Sequence, residues 1–278
     1  MSEYEFAKAC YLRTGWIPLP ELQRSVAVGD VLQIQRQQVL NLVSLPAIHL
    51  AQAAQISPAL GLSIYDFQLN HGVSVKSFQR CSYDQDDRQC FSRYELDFAW
   101  PGSYLFQCQG VQAQYLLNWH QLRDDFLLKL SQLHFHFRDA IVVTAVARAE
   151  NWNLCIAANG GASLHYSASH PDQDLFASLA CPERQFEASR GLAIHQNSTQ
   201  CAAHFIQAKR MILSEAAADK MLQGLVEKQA GMSAVERANW LRADWINLLK
   251  NPELSINTCK DVFSWRDLNL DDIELLSQ

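Results

Sequence analysis

His134 and His136 stand two residues apart in "HFHFRDAIVV", so on a strand both imidazoles would share one face. That spacing suits a metal ion such as zinc, but the sequence places no third ligand beside them, and no metal site is assigned. Asp84, Asp86 and Asp87 gather three carboxylates in the loop "SYDQDDRQ". They lack the glycine and the terminal glutamate of a calcium loop and read as a solvated turn. The eight cysteines, Cys10, Cys81, Cys90, Cys108, Cys155, Cys181, Cys201 and Cys259, are scattered. With no C-x-x-C pair and no zinc-type quartet, reduced thiols are expected. Cys81 and Cys90 flank the acidic loop and could come together, although a reducing compartment argues against a stable disulfide. There is no G-x-S-x-G, no P-loop and no G-x-G-x-x-G. The sequence thus nominates no catalytic residue and no cofactor, and makes no case for an enzyme; a hydrolase built on the histidines or the acidic loop has no motif behind it.

The totals narrow the class. The 278 residues are 49% apolar and 19% charged, the composition of a folded protein with one large domain or two smaller ones. The formal net charge of -6 argues against nucleic acid as a partner. No window approaches the roughly 20 consecutive apolar residues of a membrane helix. The start, "MSEYEFAKACYLRTGW", carries two glutamates and no signal-peptide core, which predicts a cytoplasmic protein.

Residues 1–15 look helical and stop at Thr14-Gly15, after which Pro18 and Pro20 hold the chain extended. "VGDVLQIQRQQVLNLVSLPAI" mixes a short strand with an apolar segment and shows no clean period. From residue 62 the period becomes two. "LSIYDFQL" and "VSVKSFQR" alternate around Asn70-His71-Gly72, a hairpin signal. "RYELDFAW", "YLFQCQG" and "VQAQYLLNW" continue the alternation through a Pro101-Gly102-Ser103 turn. Leu122, Phe126, Leu130 and Leu133 fall at helical spacing and predict a helix over 120–133. Strands resume from 134, with "NWNLCIAA" and "ASLHYSAS" reading as a pair joined across Asn159-Gly160-Gly161. A helical piece near 172–180 separates these from "RGLAIHQ" and "QCAAHFIQAKRMIL". Beyond Leu213 the pattern turns helical: 214–229 opens on a serine cap, and 233–250 opens on the capping box Ser233-Ala-Val-Glu236. The expected fold is therefore α+β: a twisted, mostly antiparallel sheet with flanking helices over 1–213, then a helical C-terminal segment over 214–278.

Two strands carry an ambiguous pattern. In "NWNLCIAA" one face holds Trp152, Leu154, Ile156 and Ala158; in "ASLHYSAS" one face holds Ala162, Leu164, Tyr166 and Ala168. The opposite faces are small or polar. A half-buried sheet wants this alternation, and so does a membrane barrel over about 9–11 residues per strand. Trp100, Trp119 and Trp152, each at a strand end, fit sheet corners and interfacial girdles alike.

Three segments in order resemble bacterial gasdermins: "CYLRTGWIPLPELQRSVAVGDVLQIQ", with Cys10, Trp16 and Pro18 to Pro20; "DAIVVTAVARAENWNL"; and "RGLAIHQNSTQCAAHFIQAKRMIL". The resemblance spans most of residues 10–213. Its motifs are degenerate, and the acidic charge departs from the basic surface that anionic lipid favours. The segments 82–90 and 120–133 have no counterpart in it, and the C-terminal portion is longer than the short inhibitory end of bacterial members.

The resemblance implies an autoinhibited pore-former. An activating protease would remove the C-terminal segment, and the sheet domain would self-oligomerise on lipid of the inner membrane and kill the cell in antiphage defence. The implied hairpin-forming regions are 94–118 and 141–168, with Trp152, Leu154, Ile156, Leu164 and Tyr166 on the apolar face. The most open cleavage region is "EKQAGMSA", including Gln229, Ala230, Gly231 and Met232. By family position Cys10 would accept a lipid (palmitoylation); on chemistry alone it reads equally as a small buried residue. The competing reading is a cytosolic β-rich protein that binds a ligand or partner and never meets a membrane.

Overall fold

The computed structural model describes residues 2–19, 22, 25–35, 38–61, 66–84, 87–132, 140–168, 185–198, 203–214, 260, 262–269 and 271–272. Two helices occur among them, α1 (Ser2–Thr14) and α2 (Trp119–Gln132). The strands are β1 (Ile17–Pro18), β2 (Val31–Gln35), β3 (Gln38–Val43), β4 (Leu60–Gly61), β5 (Phe67–His71), β6 (Val73–Asp84), β7 (Asp87–Phe98) and β8 (Tyr104–Gln109). There follow β9 (Gln112–Tyr115), β10 (Ala140–Ala149), β11 (Asn151–Ala157), β12 (Ala162–Ala168), β13 (Gln185–Arg190), β14 (Leu192–Ser198), β15 (Ala203–Leu213) and β16 (Phe263–Asp267).

Glu3 and Glu5 in the first turn of α1 and Arg13 in the last complement its dipole. The helix ends where Gly15, at φ 74°, donates its N–H to the Tyr11 carbonyl, a left-handed cap that glycine adopts without strain. Phe6 and Cys10, one turn apart, form its buried face. α2 buries Leu122, Phe126 and Leu130 as their spacing predicts. Asn118, just before it, holds the loop at Ala53 and Gln55 with its side chain and also donates to Gln121 Oε1 in the first turn.

The strands form three antiparallel sheets. An eight-stranded core sheet runs β1-β15-β10-β2-β3, with β9 also on β10, β4 on β9 and β16 on β15. β10, an almost unbroken apolar run, is the buried centre. At Thr144 its register shifts, so β2 pairs it before that residue and β9 after it. The other two sheets are four-stranded, β14-β11-β8-β5 and β13-β12-β7-β6.

These findings overturn the expected α+β class with a helical C-terminal segment. Among the described residues the fold is mostly β, and residues 263–267 form a strand. "FSWRD" carries two aromatic residues in five and pairs with the outer edge of β15, from Leu213↔Phe263 to Lys209↔Asp267. Trp265 donates to the Arg123 carbonyl and meets Trp119 edge-on at 5.1 Å. Asp272, almost fully buried, accepts from Arg210 at 2.6 Å and Arg266 at 2.8 Å. It also exchanges hydrogen bonds with Asn269 in a reciprocal cap. The helices expected over 214–229 and 233–250, and the piece near 172–180, fall outside the described residues apart from Ser214.

Two expected hairpins are also corrected. β5 and β6, on either side of Gly72, do not pair with each other, and neither do β11 and β12 across Asn159-Gly160-Gly161; each pair is split between the two smaller sheets. The physical reason is a change of direction. Gly72, Gly102, Gly161 and Gly191 all hold φ between 70° and 83°, and each turns its strand from one four-stranded sheet into the other. Turn chemistry of this kind closes a hairpin or makes a corner, and only partners distant in sequence decide which.

Candidate functional site

The two smaller sheets are one four-stranded sheet, bent. Their strands run in the same order, and backbone hydrogen bonds cross the bend: Ala99 N to Gly72 O, Gly161 N to Phe98 O, Ala157 N to Ser103 O and Ala158 N to Gly191 O. Four long strands result, β5–β6, β7–β8, β11–β12 and β13–β14.

The central two keep one register through the bend. β7 and β12 pair from Ser92↔Ala168 to Phe98↔Ala162, and β8 and β11 from Tyr104↔Ile156 to Gln109↔Asn151. Residues 99–103 on one strand face the equally long 157–161 on the other, so nothing is out of step. On the outer side, Gly72 alone faces residues 99–103, between Val73↔Phe98 and His71↔Tyr104.

The bend also inverts the faces. Tyr104, Phe106, Cys108, Trp152, Leu154 and Ile156 pack toward Phe6 and Cys10 of α1 and Phe205 of the core sheet. Tyr94, Leu96, Phe98, Leu164 and Tyr166 pack on the other side, in one cluster with Leu105, Cys155 and Ala157. Trp152, Leu154 and Ile156 are thus separated from Leu164 and Tyr166 by the bend, although all have even numbers. Tyr94 and Tyr166, directly opposite in register, stack at 5.0 Å, a contact worth about 0.5–1.5 kcal/mol beyond burial.

The opposite edges of the pattern are polar. Positions 68, 107, 153 and 197, all Gln or Asn, lie opposite one another in register across the four strands. Gln107 and Asn153 are buried, and Asn153 Nδ2 and Trp152 Nε1 find no hydrogen-bond partner among the described residues. Each such group costs roughly 1–3 kcal/mol. In the other half, Lys76 pairs with Asp97 at 3.0 Å, and Glu95 lies 3.7 Å from both Arg93 and His165.

Cys10 is fully buried. Burial pushes its thiol well above the usual range, and Cys108 adds to the rise. Burial pushes Cys108 up to about 12, against a smaller opposing contribution from the Phe67 backbone. A thiol in that state is a poor nucleophile, so acylation of Cys10 requires α1 to lift from the sheet. Of the expected hairpin-forming regions, 94–109 and 151–168 belong to the bent sheet, whereas 112–115 and 141–149 belong to the core sheet. Trp100 is half exposed at the bend; Trp119 and Trp152 are buried. His134, His136, Asp86 and the cleavage region at Gln229, Ala230, Gly231 and Met232 lie outside the described residues. Among the described residues no three His, Cys, Asp or Glu side chains gather to hold a metal, and no helix is long and apolar enough to cross a membrane.

Sequence reasoning missed a cleft of about 490 Å3 between the end of α1, the start of α2 and the bulged part of β10. Tyr11, Tyr115, Trp119, His120, Thr144 and Lys209 line it. Lys209 lies 5.9 Å from the Trp119 ring centroid and pairs with Asp267. No motif marks it, because its walls come from seven elements: α1, β1, β9, α2, β10, β15 and β16.

The chain matches no family model and no curated protein. The resemblance to bacterial gasdermins therefore rests on the three sequence segments alone.

Proposed function

We propose that this chain is a latent pore-forming protein whose bent sheet straightens into membrane-spanning strands. The observation that carries this is the parity of the two central strands. On a regular strand alternate residues share a face. With the bend extended, Tyr94, Leu96, Phe98, Trp100, Gly102, Tyr104, Phe106 and Cys108 fall on one side of the first strand. Trp152, Leu154, Ile156, Ala158, Gly160, Ala162, Leu164 and Tyr166 fall on one side of its partner. Two apolar clusters now on opposite sides thus become one stripe. Tyr94 to Cys108 extended spans roughly 46 Å at strand rise, beyond the ~30 Å hydrocarbon core. The matched 99–103 and 157–161 segments support straightening of the central pair without slippage, at the loss of one ladder donor at Pro101, while the outer strand at Gly72 must shift its register.

In this reading a protease cutting near 227–234 activates a cytoplasmic protein. Copies then assemble on inner-membrane lipid, because only a closed barrel leaves no sheet edge in hydrocarbon. Cell death in antiphage defence is the outcome the gasdermin resemblance suggests. The test is dye release from liposomes of bacterial lipid, with intact protein and protein cut near residue 230. Release confined to the cut form supports the proposal; inert liposomes with folded, cut protein overturn it.

The cleft beside Trp119 favours a second reading, a binder of a small ligand or partner with no membrane activity. Its volume lies within the roughly 300–1,000 Å3 of small-molecule sites, and aromatic walls with a few polar groups are their usual lining. Retained ligand in native mass spectra of freshly purified protein would favour it.

A further inference from the structure

The first long hairpin sets two cysteines opposite each other. β6 and β7 pair without a shift from Val73↔Phe98 to Asp84↔Asp87, which places Cys81 directly across from Cys90. Antiparallel partners alternate between hydrogen-bonded and non-hydrogen-bonded pairs. The bond from Ala99 N to Gly72 O, 2.9 Å, fixes the phase of the ladder: partners at even positions of the first strand are hydrogen-bonded. Asp84↔Asp87, which closes the two-residue link 85–86, has the same phase. Cys81, at an odd position, belongs to a non-hydrogen-bonded pair. Such pairs hold their Cα atoms about 4.5 Å apart, inside the window of roughly 4.4–6.8 Å that a disulfide accepts.

We propose that Cys81 and Cys90 form a reversible dithiol–disulfide couple that staples the tip of this hairpin. The oxidant is a low-molecular-weight disulfide such as glutathione disulfide. One cysteine thiolate attacks it, forming a mixed disulfide and expelling one glutathione thiolate. The other cysteine, as its thiolate, attacks the protein-side sulfur and expels the second. Two electrons pass to glutathione disulfide, which becomes two glutathione molecules, and the cysteine protons end on those thiolates or in water. Cys10, Cys108 and Cys155 are buried, which withholds them from this exchange. The oxidised staple fixes register, since a slip by one residue would part the two cysteines and turn every side chain to the other face.

The experiment incubates the intact chain with glutathione disulfide, natively and in urea, then maps unreduced peptides by mass spectrometry. A Cys81–Cys90 linked peptide is expected under native conditions, with the mixed disulfide resolving at least about tenfold faster than in urea, because the ladder raises the effective concentration of the second thiol. In Cys81→Ser the adduct on Cys90 should persist, and in Cys90→Ser the adduct on Cys81. Stable glutathione adducts at both positions of the native wild-type chain, or linking no faster natively than in urea, would overturn the proposal.

Discussion

Asp272→Asn measures how firmly residues 263–272 are bolted to the core sheet. The native carboxylate is 2% exposed and receives two guanidinium groups, while its other oxygen accepts the Asn269 N–H. Asparagine keeps the shape and an acceptor oxygen but removes the charge that both arginines face. Breaking a buried ion pair usually costs about 3–5 kcal/mol. Arg210 is 20% and Arg266 37% exposed, so solvent screens part of that loss and about 2–3 kcal/mol is expected. The assay introduces a specific protease site within 227–234, cleaves, and follows exchange of the C-terminal fragment by size exclusion with a labelled fragment. Without lipid present, the wild-type fragment should stay bound through β16 after the cut, to be displaced only at the membrane. In Asp272→Asn its dissociation constant should rise about 30- to 160-fold, the same energy expressed as an equilibrium. Identical dissociation constants would refute the argument that Asp272 anchors the strand. Immediate release of the wild-type fragment would refute the wider argument that β16 belongs to the sheet body.

Asp30 accepts hydrogen bonds from Ala27 N and Asn41 Nδ2, yet burial raises its pKa. A carboxyl raised in the folded state stabilises fully below its unfolded pKa and loses that contribution as pH climbs through the folded value. Asp30→Asn should therefore flatten the fall in Tm over the window just above pH ~4, and an unchanged profile would refute it. Gly72→Ala forces a side chain into φ 70° with Cβ 2.6 Å from Ser103 Oγ. The backbone penalty alone is about 1–2 kcal/mol, visible as a lower urea midpoint; an unmoved midpoint counts against a fixed corner. Phe106→Ala empties a fully buried site among Phe6, Phe67 and Phe205 and should cost about 3–5 kcal/mol in urea unfolding. Cys10, Cys108 and Cys155 should resist maleimide until denaturant is added; native labelling of Cys10 would mean that α1 opens readily.

Local pattern carried the local elements. The spacing of Leu122, Phe126 and Leu130 predicts α2, Gly15 predicts the end of α1, and period-two alternation predicts that 67–109 and 151–168 are strands. What pattern could not convey is pairing. Gly72 and Gly161 carry the turn chemistry of hairpins, and their role as corners follows from partners such as Ala99 and Phe98, one of them more than sixty residues away in sequence. "FSWRD" becomes a strand because β15 offers an unfilled edge, information held some fifty residues earlier. The cleft draws on seven separated elements, so no window of sequence contains it. Alternation did identify Trp152, Leu154, Ile156, Leu164 and Tyr166 as one apolar set; that the folded chain divides them between two sides is a property of the bend.

The outer edge of β15 is completed from both ends of the sequence, by Ile17-Pro18 near the start and by Phe263–Asp267 near the finish. During synthesis the first cover is ready early and the second is not. At about 5–20 residues per second, Lys209 to Leu213 would wait roughly 3–11 s on the ribosome before β16 has been made. For that interval the nascent chain carries an unpaired strand edge, open to pairing with a neighbouring nascent chain. Chaperone demand during translation, rather than the stability of the finished fold, would then limit how much of this protein a cell can accumulate.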